Sequence, residues 1–229
     1  MPDPSQHCDL LIVAAFAPEL VAFQALLGPA MQASVGGLVV AARPVGIGLV
    51  SAATGTVARL SFAEPRAVVL VGTCGAYPDS GLSIGDVVVA RSILLVEPAV
   101  VDEEAAFPDP MSAKVESHPA MSAAIAASGG RPHDIGTTLA VTTSDALAAR
   151  LGRESGAAVE HLEAFAVATA CAARRVPFAA VLGVANAVGS LGREQWRQHH
   201  AATAQAAGTF IARWIQAGAA GVPYRATQP

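Results

Sequence analysis

Short apolar runs alternate with segments of helical spacing along most of the chain. Strand-like runs, bounded by glycine, proline or polar residues, occur at residues 10–15, 38–42, 67–71, 87–90, 137–141 and 178–184. Apolar residues three and four positions apart, as in a helix that faces a core, occur at residues 20–27, 50–62, 163–174 and 193–214. The pattern therefore predicts strands and helices in alternation.

The strand-like runs are apolar on both faces, which is typical of a mainly parallel sheet covered by helices. A length of 229 residues fits one α/β domain, residues 1–229, with a frayed tail expected after about Gly218. Residues 96–133 contain five prolines and predict a long excursion with one helix near 111–128.

Composition narrows the classes of function. Charged residues make up 14% of the chain, the net charge is −4, and Lys114 is the single lysine, so no basic run is present that would favour a nucleic-acid partner. Every apolar stretch is interrupted well before the ~20 residues that a membrane span needs. We therefore expect neither nucleic acid nor membrane as a partner.

The cysteines and the first residues indicate the compartment. Cys8, Cys74 and Cys171 are odd in number and lack paired or metal-type spacing, which favours free thiols in a reducing environment. The first residues carry acidic Asp3 and Asp9 rather than a positive stretch before a long apolar run. We expect a cytoplasmic protein, and the histidine spacing implies no metal.

Glycines and polar residues that could bind a ligand or take part in a reaction follow the predicted strands. They are Glu19, residues 46–48, residues 72–75, the pair Ser144 and Asp145, and Asn186. Because ligands of open α/β sheets bind beyond the carboxyl ends of the strands, these positions form the candidate site.

Three segments resemble one known family in their order and spacing. They are VGIG at 45–48, VGTCGA at 71–76 with GDVV at 85–88, and VEHLEA at 159–164. Together they are similar to the purine nucleoside phosphorylase and nucleosidase superfamily, from about residue 10 to 214. The resemblance implies a three-layer α/β/α domain around a mixed, mostly parallel twisted sheet, with a purine nucleoside and water as substrates. It also implies no cofactor and a homo-oligomer, in which a neighbouring chain often completes the sugar site.

Two carboxylates carry the chemistry that this resemblance implies. Glu19 matches the glutamate with which nucleosidases activate water, and a carboxylate behind an apolar strand end can take a proton from water in a dry cleft. A first-turn helix acid is the alternative for Glu19. Glu163 matches the family glutamate that binds the ribose hydroxyls, with Leu162 beneath the sugar. His161 makes the register ambiguous by one residue, so Glu160 is the alternative ribose ligand. His161 is a further candidate substrate-binding residue, and a solvated helix entry is the alternative for both Glu160 and His161.

The glycine segments imply a pocket for an anion or for water. Gly48, Thr73, Cys74 and Gly75 match substrate-binding positions of the family, and backbone amides at a strand end can bind phosphate. Relatives that use phosphate carry arginine two residues before the first glycine, where this chain has Leu70. Hydrolysis is therefore favoured over phosphorolysis, although Arg43 or Arg91 remains as an alternative cation.

Asn186 indicates which purine the site would accept. Nucleosidases for adenine nucleosides carry a Ser-Asp pair here, whereas an asparagine amide donates and accepts hydrogen bonds but gives up no proton, which suits a 6-oxopurine. Residues 186–189 with Arg193 and Trp196 resemble futalosine hydrolases, which release hypoxanthine from futalosine in menaquinone biosynthesis. A charged helix start and a packed aromatic are the alternatives for Arg193 and Trp196. Ser144 and Leu147 match the loop that contacts the base, with a helix cap as the alternative for Ser144.

The resulting hypothesis is hydrolysis of futalosine to hypoxanthine and dehypoxanthine futalosine, with Glu19, Glu163 and Asn186 as the catalytic residues. Three alternatives remain: a methylthioadenosine/S-adenosylhomocysteine nucleosidase, a phosphate-dependent purine nucleoside phosphorylase, and a relative that binds nucleosides without turning them over.

Overall fold

A computed structural model describes residues 7–224 of the chain. The strands are β1 (Leu10–Ala14), β2 (Gln32–Val35), β3 (Leu38–Pro44), β4 (Ala67–Ala76), β5 (Val87–Leu95), β6 (Lys114–Glu116), β7 (Arg131–Thr137), β8 (Val159–His161) and β9 (Phe178–Ala187). The helices are α1 (Gln24–Leu27), α2 (Leu49–Ala63), α3 (Pro98–Val101), α4 (Pro119–Ala127), α5 (Asp145–Ser155), α6 (Ala164–Ala173) and α7 (Gly192–Gln216). A 3₁₀ helix, Ala17–Phe23, leads into α1.

The strands form one mixed sheet. Strands β3, β1, β4 and β9 lie side by side and parallel, while β5, β7 and β8 form a second parallel group. The two groups meet in antiparallel pairs, β9 with β5 and β4 with β8. The predicted α/β fold around a mixed, twisted sheet is confirmed.

Two apolar layers flank the sheet because its inner strands are buried on both faces. All ten residues of β4 and all five of β1 are buried. One apolar cluster joins strand residues such as Val68 to α2 and α6, and a second joins residues such as Val69 to α7, α4 and the 3₁₀ helix. Alternate residues of β4 thus face opposite helical layers. Within residues 7–224, no helix has the length and apolar character that crossing a bilayer requires.

Three predicted boundaries are wrong. Residues 72–75 are not a loop, because β4 continues to Ala76. The strand predicted at 137–141 is β7, which ends at Thr137, and its polar residues and Pro132 hid the strand pattern. The helix predicted at 111–128 is shorter, because 114–116 pair with β5 as β6 and proline at 119 begins α4.

The chain after α7 folds back on the domain as far as the structure describes it. Ala219 is buried, and the carbonyl oxygen of Pro223 accepts hydrogen bonds from the guanidinium of Arg66 at 2.9 and 2.5 Å. This described part of the expected frayed tail is therefore packed. The rest of that tail, residues 225–229, lies outside the described residues.

Candidate active site

Glu19 is buried where the first strand passes into the 3₁₀ helix. Pro18 stands in the first turn of this helix, and the backbone N–H of Glu19 donates to the carbonyl of Phe16 at 3.2 Å. Leu20 and Phe23 anchor the helix in the core, so that Glu19 points inwards with 5% of its surface exposed. An exposed first-turn acid would complement the helix dipole from solvent. Burial to this degree goes beyond that role.

The carboxylate of Glu19 lies against the neighbouring strand β4. Its Oε1 accepts hydrogen bonds from the backbone N–H of Thr73 at 3.0 Å and from the Thr73 hydroxyl at 3.2 Å. A Cβ on Gly72 would lie 3.0 Å from Oε1, so only glycine leaves the carboxylate this close to the strand. The other oxygen, Oε2, is buried without a hydrogen-bond partner. A buried, unpartnered carboxylate oxygen is a strong acceptor for a proton.

Glu163 lies near enough to Glu19 for its negative charge to raise the pKa of the Glu19 carboxyl. It is the N-cap residue of α6, and its Oε1 accepts a 2.7 Å hydrogen bond from the backbone N–H of Gly48, the N-cap residue of α2. Gly48 has a φ of 81°, which glycine adopts without strain. The carboxylate therefore lies at the N-terminus of one helix while its backbone starts another, and helix N-termini stabilise anions.

The two carboxylates have unequal surroundings. Burial, and then the nearby charge of Glu163, raises the pKa of Glu19 from 4.5 to about 7, although the hydrogen bonds from Thr73 and, least of all, the backbone N–H of Ala15 oppose this rise. Glu163, by contrast, is held by a backbone amide at a helix N-terminus. Pairs of carboxyl groups in unlike environments are how proteins separate acid, base and anionic roles. Here Glu19 can exchange a proton near neutral pH.

His161 supports Glu163 without forming an ion pair with it. Its Nδ1 accepts hydrogen bonds from the backbone N–H groups of Glu163 at 3.2 Å and Ala164 at 3.1 Å, so this nitrogen carries no proton. Burial lowers the pKa of His161. Nδ1 of His161 and Oε2 of Glu163 lie 3.4 Å apart, but both atoms are acceptors and the imidazole is neutral, so this contact is not an ion pair. Leu162 between them is half-buried.

Glu160 is engaged elsewhere. Its Oε1 accepts from the backbone N–H of Thr142 at 2.9 Å, and its Oε2 accepts from the hydroxyls of Thr142 and Tyr77. Three donors from two residues satisfy this buried carboxylate and tie residue 142 to β8. Of the two acids left open by the sequence, Glu163 is the one whose charge acts on Glu19.

Asn186 lies at the end of β9 with its amide held in one orientation. Its Nδ2 donates to the carbonyl of Ala187 at 2.7 Å, and the backbone N–H of Ala187 donates to Oε1 of Gln195 at 2.8 Å. A Cβ on Gly75 would lie 2.8 Å from Nδ2, so any other residue there would displace the amide from its present position. One N–H of the amide is thus occupied, while its second N–H and its Oδ1 make no hydrogen bond with residues 7–224.

The side chains of Ser144 and Cys74, two further residues expected to contact the substrate, are both engaged within the protein. Ser144 is exposed and caps α5 by accepting from the backbone N–H of Leu147 at 3.3 Å, which is the cap alternative stated above. Cys74 is packed in the core with its thiol donating to the carbonyl of Gly183 at 3.7 Å, and burial raises its pKa. A contact from Cys74 to a ligand would have to come from its backbone.

Sequence reasoning missed two supporting residues, Gln195 and Tyr77, and it named a third, Trp196, only through a resemblance and without its contact. Trp196 donates its indole N–H to the Thr73 hydroxyl at 3.2 Å, Gln195 holds residue 187, and Tyr77 holds Glu160. Gln195 and Trp196 are consecutive on α7, and each contacts a residue that in turn holds a candidate catalytic side chain. The only signal was their position just after Asn186 at a helix start.

Substituting Glu19 tests its buried, neutral state. A raised native pKa means that the neutral carboxyl favours the fold below pH 4.5 and that this contribution is lost as pH rises through about 7. We expect Glu19→Gln to gain stability over the parent between these values, reaching about 3 kcal/mol above pH 7. Urea unfolding at pH 4 to 9 measures this, with exposed Glu104→Gln as the control. A difference that does not change with pH would contradict the buried titration.

Comparison with known proteins places this geometry in a family. A sequence model of the Phosphorylase superfamily matches residues 17–217. Comparison with curated proteins gives no match.

Solved structures are similar over nearly the whole chain. A futalosine hydrolase mutant of Helicobacter pylori has a TM-score of 0.80 at 17% identity, covering 91% of this chain and 98% of that one. A methylthioadenosine/S-adenosylhomocysteine nucleosidase of Colwellia psychrerythraea in complex with adenine has a TM-score of 0.83 at 20% identity, covering 96% and 98%. The corresponding Neisseria meningitidis enzyme with methylthio-immucillin-A has 0.78 at 18%, covering 91% and 98%. At these identities the structures establish a shared fold, and with the superfamily match over most of its length the chain belongs to the phosphorylase superfamily.

Proposed function

We propose that the protein hydrolyses the N-glycosidic bond of a purine nucleoside, with futalosine as the substrate. The observation that carries the proposal is the convergence of two buried carboxylates, Glu19 with an unpartnered oxygen and Glu163 at a helix N-terminus. Similar folds include both futalosine hydrolases and methylthioadenosine/S-adenosylhomocysteine nucleosidases.

In this proposal Glu19 takes a proton from water through Oε2 as the water attacks the anomeric carbon. The bond from that carbon to the purine nitrogen breaks, and the purine leaves with the electron pair as an anion that takes up a proton from solvent. A pKa of about 7 suits a base that works near neutral pH. Glu163 binds the ribose hydroxyls, and its negative charge stabilises the oxocarbenium-like sugar more strongly in the transition state than in the ground state. Asn186 receives the purine with its remaining N–H and its Oδ1.

The arginines that could have replaced the missing phosphate ligand are occupied. Arg43 donates to the carbonyls of Ala30, Met31 and Ala42 and to Gln32 Oε1, which fixes it beside β2 and β3. Arg91 on β5 forms an ion pair of 3.1 Å with Asp134 on β7. With Leu70 fully buried in the core, these contacts support water over phosphate as the nucleophile.

The buried free thiols of the three cysteines accord with a cytoplasmic site of action, which is part of the proposal. Assembly into a homo-oligomer is likewise proposed, on the basis of the family resemblance alone.

The direct test is an assay of the purified protein on four nucleosides: futalosine, aminofutalosine, methylthioadenosine and inosine. We expect release of hypoxanthine from futalosine at the highest kcat/KM, at the same rate with and without phosphate. Strict dependence on phosphate would identify a phosphorylase, and faster cleavage of methylthioadenosine would identify an adenine nucleosidase. No turnover of any of the four, with purine binding retained, would favour a binding protein.

Replacing Glu19, the proposed general base, should separate substrate binding from the chemical step. We expect Glu19→Gln to bind purine nucleosides with nearly the affinity of the parent and to lose ~10²-fold or more in kcat, the contribution typical of a general base. Single-turnover kinetics and calorimetric titration with the substrate measure the two effects. Exposed Glu104→Gln should retain the parental kcat. Parental turnover in Glu19→Gln would remove Glu19 from the mechanism.

Replacing the side-chain amide of Asn186, which is proposed to contact the purine, should change the preferred purine. In Asn186→Asp the new carboxyl would face the carbonyl of Ala187, 2.7 Å from the present Nδ2, and this contact favours the protonated form. A protonated carboxyl can supply the proton that an adenine leaving group needs. We expect the ratio of kcat/KM for methylthioadenosine over futalosine to rise by about tenfold or more. Asn186→Ala, the control, should lower both values, and an unchanged ratio in Asn186→Asp would exclude residue 186 from base selection.

A further inference from the structure

Trp196 lies one hydrogen bond away from the residue that holds Glu19. Its indole N–H donates to the Thr73 hydroxyl at 3.2 Å, and that hydroxyl donates to Oε1 of Glu19, also at 3.2 Å. The chain of contacts joins the first turns of α7 to the candidate base through a single side chain of β4.

The chemistry of the three groups fixes the direction of both hydrogen bonds. An indole nitrogen only donates, and an ionised carboxylate only accepts. A threonine hydroxyl has one hydrogen, so accepting from Trp196 leaves that hydrogen for Glu19. Oε1 then receives two hydrogen bonds from Thr73, and the unpartnered Oε2 is the more basic oxygen.

The indole ring is itself held in place. The ring of His200 stacks on it, with centroids 4.2 Å apart and an interplanar angle of 18°. Nδ1 of His200 lies 2.9 Å from the carbonyl oxygen of Trp196, and because a carbonyl only accepts, this nitrogen carries the proton. His200 lies one turn further along α7, and its stacking holds the indole of Trp196 so that the indole N–H meets Thr73 in one geometry.

We propose that Trp196 is a positioning residue for the base: its indole N–H commits the Thr73 hydroxyl to Oε1 of Glu19 and so leaves Oε2 to accept the proton of the attacking water. The inference rests on the proposed role of Glu19 in hydrolysis. Trp196 acts through Thr73 and needs no contact with the nucleoside.

The proposal makes a prediction about the titration of Glu19. Chains of hydrogen bonds polarise one another, so losing the indole donor weakens the bond from the Thr73 hydroxyl to the carboxylate. The ionisable groups around the relay are Glu163 across the site, with neutral His161 behind it, Cys74 on β4, and His200 on the indole. None of these is altered by removing one indole N–H.

The test measures the pKa of the Glu19 carboxyl directly, by difference infrared titration against Glu19→Gln, and the acid limb of the kcat profile. We expect Trp196→Phe to raise this pKa by about half a unit or more and Thr73→Val to raise it by about one unit or more. Adding Trp196→Phe to Thr73→Val should produce no further shift, because the relay passes through the missing hydroxyl. Thr73→Ser, which keeps the hydroxyl, should stay near the parental value.

Trp214→Phe is the matched control. It removes an indole N–H from the same helix, where the donor contacts the carbonyl of Ala220 at 3.2 Å, and it should leave the titration of Glu19 unchanged. If Trp196→Phe folds poorly, 3-benzothienylalanine at position 196 keeps the shape of the indole and removes only the donor. An unshifted pKa in that protein, or a shift that persists on the Thr73→Val background, overturns the relay.

The two readouts separate this inference from the proposed function. A shifted carboxyl titration in a protein that cleaves none of the four nucleosides would support the relay and reject the hydrolase. Cleavage of futalosine by the parent with no shift in Trp196→Phe would support the hydrolase and reject the relay.

Discussion

Two buried carboxylates that share one space form the constraint on which the site depends. Like charges at close range in a low dielectric oppose joint ionisation, so the native structure must stabilise one anion and tolerate the neutral form of the other. The N-terminal ends of α2 and α6 support Glu163, while burial raises the pKa of Glu19 to about 7. The fold thus creates a base that is ready near neutral pH beside a carboxylate that is held by a backbone amide.

The sheet delivers these groups through its strand ends and through glycines that admit close approach. Gly72 lets the carboxylate of Glu19 lie against β4, and Gly75 makes room for the amide of Asn186. Residues 195 and 196 of α7 then brace the two ends of the site, one through residue 187 and the other through Thr73. The proposed chemistry therefore depends on a helix that supplies none of the proposed catalytic groups.

Much of this arrangement could be predicted from the sequence because its signals are local. Apolar runs located the inner strands, and the order of the glycine motifs indicated the family that the match over residues 17–217 confirms. The continuation of β4 through 72–75 was missed, since glycines in a strand look like a turn until a neighbour such as Glu19 is seen to need the space. Glu160 and Glu163 could not be told apart, because only the fold brings Tyr77 and Thr142 to Glu160. Hydrogen bonds between residues 123 positions apart, such as that from Trp196 to Thr73, leave no mark in a single sequence.

The repulsion between the two carboxylates is the most direct point at which to test the account. Glu163→Gln removes the charge and keeps the shape, so the pKa of the Glu19 carboxyl, followed by infrared titration, should fall from about 7 in the parent while staying above 4.5, because burial remains its largest cause. An unchanged pKa in Glu163→Gln would show that the two side chains do not share a site, and it would contradict the account at its centre.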